Sequence, residues 1–567
     1  MTVRAAAAGE HPGLRATTLN EAFQACVERL SNQVALRTPG GGREITWREY
    51  ADRVRRLAAG LAGLGIGRGD TVAIMLRNRP EMFLVDTAAL HLGAVPYSVY
   101  NTSSPEQIEH LFADAGNRIV VTEGRFLDTV LSVEAPALRH VVVVDEPRSD
   151  TMSLAQLEAG GERDFDFGAS WRAARPGDIA TLIYTSGTTG PPKGVQLTHG
   201  NLLFTVRSIS EVVPVRPAGR TVSWLPFAHI ADRVFSHYAQ MLAGSTVTVV
   251  PEPAQILDVL PDARPTHWAA VPRTFEKLVA SLEAAGIADP AALAPEAAER
   301  VRTDLGLDGA DWLSCGAAPV GREVLEYLSA LGLPICEAWG MSETCGLGTM
   351  NPRADIRLGT VGRALPGVEL DVAPDGELLV RGPNVMVGYR GDPARTAEAL
   401  AADGWLRTGD LAELDRDGFV RIVGRKKELI INSSGKSMSV VGIEQRLKAA
   451  SPLIGYAFAI GDRRPYNTAL VVLDPEAAAA YAREHGLSGS GLAAVAQDPG
   501  VRRRVEEAVK RANAQLSRVE QIRGHAILPA DWLPGSDELT PTMKLRRAEI
   551  LKKYAAEIEA MYAAPGS

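Results

Sequence analysis

Apolar residues recur at helical spacing at Leu19, Phe23, Cys26, Val27 and Leu30, predicting a first amphipathic helix behind a loose arm of residues 1–16. Thr46-Trp-Arg-Glu49 carries a hydroxyl three residues before a glutamate, so each side chain can bond the other's backbone N–H. That capping box opens a helix with Val54, Leu57, Leu61 and Leu64 turned inward. A turn at Gly69-Asp70 leads into an apolar strand over 71–76. Pro80 starts a helix that ends near Gly93, and 95–99 returns as a strand. Ser104-Pro-Glu-Gln107 is a second capping box, with proline at the favoured first helical position. Short β-branched runs follow at 119–121, 141–144 and 179–183.

Helix and strand thus alternate, and several strands are apolar throughout rather than every second residue. Both of their faces must be covered, which predicts an α/β fold of parallel strands layered with helices. Residues 285–300, rich in Ala, Pro and Glu, read as a surface helix or excursion. The pattern changes near residue 424, where a strand over 419–423 gives way to the charged cluster Arg425-Lys-Lys-Glu428. Beyond it come a fresh strand over 469–473 and a long helix carrying Val501, Val505, Val509, Leu516, Val519 and Ile522 on one side. The expected organisation is a large domain over 1–424 and a small, mobile α+β domain over 425–567, joined by a hinge.

Length agrees, since 567 residues exceed what one ordinary core organises. The net charge of −8 does not point to nucleic acid, so any bound nucleotide has to be held by local positive charge. The four cysteines form no C-x-x-C pair and no zinc-spaced cluster with histidine, as expected of reduced thiols in a cytoplasmic protein. The first ten residues make a poor signal peptide, and no apolar stretch approaches a spanning length. Any membrane contact is expected to be peripheral.

The chemistry concentrates first in Tyr184-Thr-Ser-Gly-Thr-Thr-Gly-Pro-Pro-Lys-Gly-Val195, directly after an apolar strand. Three glycines free the backbone to turn near a ligand, and hydroxyls, N–H groups and the ammonium of Lys193 together suit phosphate oxygens. It is not a Walker loop, because Pro192 precedes the lysine and Gly194 follows it. Such residues alone also describe a surface turn, but the whole string resembles the phosphate loop of the adenylate-forming superfamily: acyl-CoA synthetases, amino-acid adenylation domains and luciferases.

Motifs in the same order extend the resemblance from about residue 19 to 550, closest to long-chain fatty-acid–CoA ligases of the bacterial and bubblegum type. It implies a cradle for ATP made by Thr185, Ser186, Gly187, Thr188, Thr189, Gly190 and Lys193. His229, in Trp224-Leu-Pro-Phe-Ala-His229, is implied to line the carboxylate site, and the helix after it, with Phe235 and Tyr238, the acyl tunnel. His229 and His237, eight apart, could share a helix face, but two histidines do not make a metal site. Cys315-Gly316-Ala317-Ala318-Pro319 resembles the turn that packs adenine, although the residues equally describe a tight turn; Cys315 is read as a tolerated change, not a nucleophile. In Glu337-Ala-Trp-Gly-Met-Ser-Glu-Thr344, the resemblance assigns Trp339, Gly340 and Ser342 to the nucleotide and Glu343 to Mg²⁺, with Thr185 as a second ligand. Trp339 stands where tyrosine is commoner.

Asp410, in Trp405-Leu-Arg-Thr-Gly-Asp410, and Arg425 resemble the pair that reaches the ribose. Lys427 stands at the family's hinge position, and Gly435 resembles the glycine beside the pantetheine channel. Leu539-Thr-Pro-Thr-Met-Lys544 resembles the segment delivering the catalytic lysine, 351 residues beyond Lys193. The implied reaction turns a fatty acid, ATP and coenzyme A into acyl-CoA, AMP and pyrophosphate through an acyl-AMP. The main alternative acceptor is a carrier-protein pantetheine, as in fatty-acyl-AMP ligases and peptide-synthetase adenylation domains; fatty-acyl-AMP ligases carry an insertion in the large domain, and the short stretch from Glu343 to Val361 argues mildly against it. A nucleotide-binding regulator without catalysis is the reading from another class, opposed by the joint presence of Lys193, Glu343, Asp410, Arg425 and Lys544.

Overall fold

The computed structural model describes residues 12–161, 164–185, 191–431, 437–487, 491–533, 535–540 and 543–563. The chain divides into two compact units. One comprises Met1–Asp371, Leu379–Arg407 and Asp415–Val420; the other comprises Val372–Leu378, Thr408–Leu414 and Arg421–Ser567.

The first unit is α/β. Strands Val95–Ser98, Thr71–Met75, Ile119–Thr122, His140–Val143 and Met152–Ser153 lie side by side in that order, all parallel. A second sheet runs His267–Ala270, Trp312–Cys315 and Ile335–Trp339 in parallel, then two short antiparallel strands, Thr349–Met350 and Arg363–Ala364. A third joins Arg220–Ser223, Thr246–Val249 and Val34–Arg37 in parallel, with Glu44–Thr46 antiparallel at its edge.

Both expected capping boxes form, with Thr46 and Glu49 exchanging bonds at the start of Trp47–Gly63 and Ser104 and Gln107 at the start of Pro105–Ala115. Each such cap is worth about 1 kcal/mol. Helix Pro80–Leu92 is buried on every side and ends on Gly93 at φ 75°, a left-handed step natural to glycine. One expectation is corrected at the end of the N-terminal arm, and the surface helix expected within 285–300 is present. Residues 1–11 lie outside the described residues, and Pro12–Arg15 form a 3₁₀ turn rather than a loose arm. The 285–300 stretch resolves into a 3₁₀ turn, Pro290–Ala292, and a helix, Pro295–Asp304.

In the second unit, strand Asn467–Leu473 pairs antiparallel with Ile454–Ile460 and parallel with Ile522–Leu528. Its side chains alternate between two cores. Ala469, Val471 and Leu473 join Val501, Val505 and Val509 on one face; Leu470 and Val472 join Trp532, Ile550 and Ile558 on the other. With both faces covered, the strand is apolar throughout. The long helix expected to reach Ile522 ends instead at Ala514. The Asn513 side chain bonds both the N–H and the carbonyl of Ile522, at 2.8 Å each, so the chain turns and Ile522 opens a strand. Leu516 and Ile522 still enter the same core, so their spacing reports burial rather than helix. Among the described residues no helix is long and apolar enough to cross a membrane.

Candidate active site

Strands Ile179–Thr185 and Lys193–Thr198 form an antiparallel hairpin in which Thr185 stands opposite Lys193. Ser186, Gly187, Thr188, Thr189 and Gly190, between these strands in sequence, lie outside the described residues. Packing explains the glycine after the lysine: a Cβ on Gly194 would lie 3.2 Å from the Tyr184 ring and from Asp114 Oδ2. Tyr184 in turn donates to Asp114 at 2.7 Å.

A third strand, Gly388–Tyr389, pairs with the same hairpin. It carries a tyrosine that touches two of the charged groups expected on the nucleotide. The Lys193 ammonium sits 4.6 Å from the Tyr389 ring centroid, and the Tyr389 hydroxyl donates to Glu343 Oε1 at 2.8 Å. Glu343, 7% exposed, is carried on the 3₁₀ turn Ser342–Thr344. Just before it, Gly340 is glycine for a steric reason, because a Cβ there would fall 2.2 Å from the Gly346 carbonyl oxygen. The Trp339 ring lies against Gly348, whose Cβ would meet it at 2.8 Å.

The turn after Trp312–Cys315 lies beside this segment, because Cys315 is in parallel register with Glu337. Both lie at the carboxyl ends of parallel strands, where α/β sheets receive ligands. Ala317, Ala318 and Pro319 are exposed and Gly316 is half-buried, 3.0 Å being the gap a Cβ on Gly316 would leave to the Ala338 oxygen. Ala317 takes a left-handed φ of 69°, a strained step for a residue with a side chain. Cys315 is buried and its thiol is pushed well up, which disfavours the thiolate a nucleophile needs. Burial also raises Glu337 to about 7, opposed only by the Gly359 N–H.

His229 precedes a short helix, Ile230–Asp232, and its Nδ1 accepts from the Ala231 N–H at 3.2 Å, leaving Nε2 to carry the ring proton when neutral. Its loop is pinned by Asp232, which accepts from the N–H groups of Trp224 and Leu225 and from the Ser223 hydroxyl at 2.6 Å. Burial raises the Asp232 carboxyl to about 6. The helix then widens to a π-helical stretch, Arg233–Tyr238. Here the two expected aromatic residues part company. Phe235 lines an apolar cavity of about 20 Å³ with Val206, Ile209, Val234, His267 and Trp312. Tyr238 instead meets the fully buried Arg233 at 2.9 Å. Arg233 pairs with Asp86 at 2.6 Å, and His237 bonds the other Asp86 oxygen at 3.0 Å. His237 therefore belongs to a buried ion cluster and not to a site with His229.

In the second unit Asp410, 3% exposed, pairs with Arg425 Nε at 2.9 Å, so the two residues expected on the ribose are brought together. Lys426 next door is tied to Asp375 at 2.5 Å and Glu377 at 3.1 Å. Lys427 is exposed on the turn Lys426–Glu428, and Gly435 lies outside the described residues. Lys544 is exposed on a tight turn closed by the Leu539–Leu545 bridge and by the Thr540 N–H to the Lys544 carbonyl at 2.8 Å. Met543 before it is left-handed at φ 61°. Arg547, just beyond, binds the buried Glu444 and lies 4.7 Å from the Phe458 ring centroid, anchoring the turn's exit.

The sequence model of the AMP-binding enzyme family matches residues 23–390, and that of the AMP-binding enzyme C-terminal domain matches 427–565. The chain belongs to the AMP-binding enzyme family. It is 36% identical over 559 residues to the long-chain-fatty-acid–CoA ligase FadD15 of Mycobacterium bovis, covering 92% of each chain. It is 48% identical over 450 residues to a chain of Mycobacterium tuberculosis provisionally named fatty-acid–CoA ligase fadD11, covering 73% of this chain and 79% of that one. In fold it is similar to the A domain of carboxylic acid reductase from Segniliparus rugosus, solved with AMP and a co-purified carboxylic acid. The TM-score is 0.79 at 19% identity, covering 96% of this chain and 94% of that one. As an AMP-binding enzyme the chain is an ATP-dependent acid–thiol ligase, using ATP with Mg²⁺ and coenzyme A.

Sequence reasoning missed Tyr389, Glu337 and Asp232. Nothing in the spacing of Tyr389 announces a partner 46 residues earlier. Glu337 stands inside a motif given above and Asp232 three residues beyond another, but only the fold shows what their carboxylates hold.

Proposed function

We propose that this AMP-binding enzyme takes a long-chain fatty acid, and that the residues above divide the work as follows. The fatty carboxylate is already anionic at pH 7, so the first step needs no general base. One of its oxygens bonds to the α-phosphorus of ATP as the α–β bridging P–O bond breaks, giving acyl-AMP and pyrophosphate. The difficulty is bringing two anions together, and Lys193, the glycine-rich loop and Lys544 meet it electrostatically. Glu343 and the Thr185 hydroxyl are hard oxygen donors of the kind Mg²⁺ accepts, and so few protein donors suit an ion that keeps waters and phosphate oxygens. When bound, Mg²⁺ supplies charge neutralisation between Glu343 and the phosphates. Asp410 and Arg425 hold the ribose; Gly316, Ala317, Ala318, Pro319 and Trp339 border the adenine; His229 faces the carboxylate.

In the second step the coenzyme A thiol gives up its proton to solvent, its sulfur bonds to the acyl carbon, and the acyl–oxygen bond breaks to release AMP. A swing of the small domain, 425–567, about Lys427 exchanges Lys544 for the pantetheine path beside Gly435. The arrangement Lys193–Tyr389–Glu343 is the observation that carries this reading, since a cation and a carboxylate within one tyrosine's reach suit a triphosphate with its divalent ion. A long acyl chain is supported by likeness to a long-chain ligase over nine-tenths of both chains. Buried free thiols at Cys26, Cys315, Cys336 and Cys345 support a cytoplasmic setting.

The test offers acids of graded chain length with ATP and either coenzyme A or a pantetheinylated carrier protein. Coenzyme A thioesters should form fastest with long unbranched acids. Loading of the carrier alone, or turnover confined to aryl or short acids, would sink the proposal.

A further inference from the structure

We propose that Tyr389 is a positioning residue that orients Glu343 for a divalent cation and keeps Lys193 from neutralising it. The inference rests on the roles proposed above for Lys193 and Glu343. Left to themselves, a lysine and a glutamate on neighbouring elements close into an ion pair, and each bond so made must be broken before phosphate or metal binds. Here the described residues show no salt bridge between them; one aromatic side chain touches both instead. Its face holds the ammonium at 4.6 Å, a contact that keeps the charge intact and available. Its hydroxyl donates to Oε1 of Glu343 at 2.8 Å. Oε2 makes no hydrogen bond among the described residues and is left for a cation.

The backbone around Tyr389 fixes this spacing from both sides. Tyr389 lies opposite Val195, two residues from Lys193, and the Arg390 N–H donates to the Gly194 carbonyl at 2.8 Å. On the other side the Met386 N–H donates to the Glu343 carbonyl at 2.8 Å. The Tyr389 N–H itself is held by the Thr396 hydroxyl at 2.9 Å. The ring is 7% exposed and has little room to swing. One side chain is thus seated between the two strands of chain that carry the charges, touching each through a different part of itself.

That separation of parts makes the proposal testable by two substitutions. Tyr389→Phe keeps the ring face and removes the hydroxyl. Tyr389→Leu removes both. Nucleotide binding is measured by calorimetry across a Mg²⁺ titration, with thermal unfolding as a control for folding and ATP–pyrophosphate exchange as the activity readout. Partners that orient a metal-ligating carboxylate are worth about 10–100-fold in metal affinity. Tyr389→Phe should therefore raise the Mg²⁺ concentration for half-maximal binding about tenfold or more while Mg²⁺-free ATP binding holds. Tyr389→Leu should weaken Mg²⁺-free ATP binding as well. In a Glu343→Gln background, Tyr389→Phe should add nothing. An unchanged Mg²⁺ requirement in a folded Tyr389→Phe protein, with Glu343→Gln clearly shifted, overturns the proposal alone. If Glu343→Gln is itself unshifted, the metal assignment beneath it falls too.

Discussion

Replacing Asp86 by asparagine should destabilise the first unit by about 3–5 kcal/mol, the cost of leaving one member of a buried ion pair uncompensated. Asp86 sits midway along the fully buried helix Pro80–Leu92, and its side chain and that of Arg233 are both 0% exposed. The carboxylate accepts from the guanidinium at 2.6 Å through one oxygen and from His237 at 3.0 Å through the other. Asparagine fills the same volume, so no cavity confuses the result. Arg233 keeps its bonds to the Phe227 carbonyl at 3.1 Å, the Tyr238 hydroxyl at 2.9 Å and Ser98 at 3.0 Å. What is lost is charge. Thermal unfolding is the assay, and a fall on the order of 5 °C is expected for a unit of this size. Removing both charges with Asp86→Leu and Arg233→Met together should recover most of that loss, since well-packed apolar replacements of buried ion pairs are close to neutral. The pH response carries a sign. Burial pushes the Asp86 carboxyl up, but Arg233 and His237 outweigh it and hold it below the ordinary carboxylate range. Its contribution is therefore complete above pH ~3.9 and is lost as pH falls through the lower folded value. A single variant that unfolds at the parent temperature, or a double variant no better than the single one, would refute the reasoning.

Lys544→Ala should abolish acyl-AMP formation while ATP still binds by calorimetry; a normal adenylation rate would remove Lys544 from the chemistry. Lys427→Pro should block thioester formation and leave adenylation largely intact, measured as separate half-reactions; equal loss of both would count against the hinge. Burial lowers His91, His199 and His267 to about 4. Each stays neutral in the fold while the unfolded chain takes up protons below pH ~6.5, so their contribution weakens as pH falls from there towards 4. His91→Gln should flatten the unfolding temperature against pH over that range, and an unaltered slope would contradict the burial argument.

Local chemistry was the legible part. Thr46-x-x-Glu49 and Ser104-x-x-Gln107 announce helix starts because both partners of the bond lie within four residues. The apolar run at 469–473 announces a doubly covered strand for an equally local reason. What failed was any distinction between burial and geometry. Leu516, Val519 and Ile522 keep helical spacing and the same core, yet the chain turns there because Asn513 captures Ile522. Within the site, two glycines expected to serve a ligand also answer to the protein itself: Gly340 faces Gly346 and Gly194 faces Tyr184. Tyr389 stayed hidden because its meaning lies wholly in what it touches, and touching partners far along the chain leave no periodic trace.

The separation of Asp86 from Arg233 also bears on biosynthesis. The two lie 147 residues apart, so at ribosomal speeds of about 5–20 residues per second the acid waits roughly 7–30 s for its base to be made. Through that interval helix Pro80–Leu92 is an oily segment carrying an unmatched negative charge, better kept wet than packed. The interior around it closes only after nearly half the message has been read, and a nascent chain stalled in between is the species most exposed to clumping.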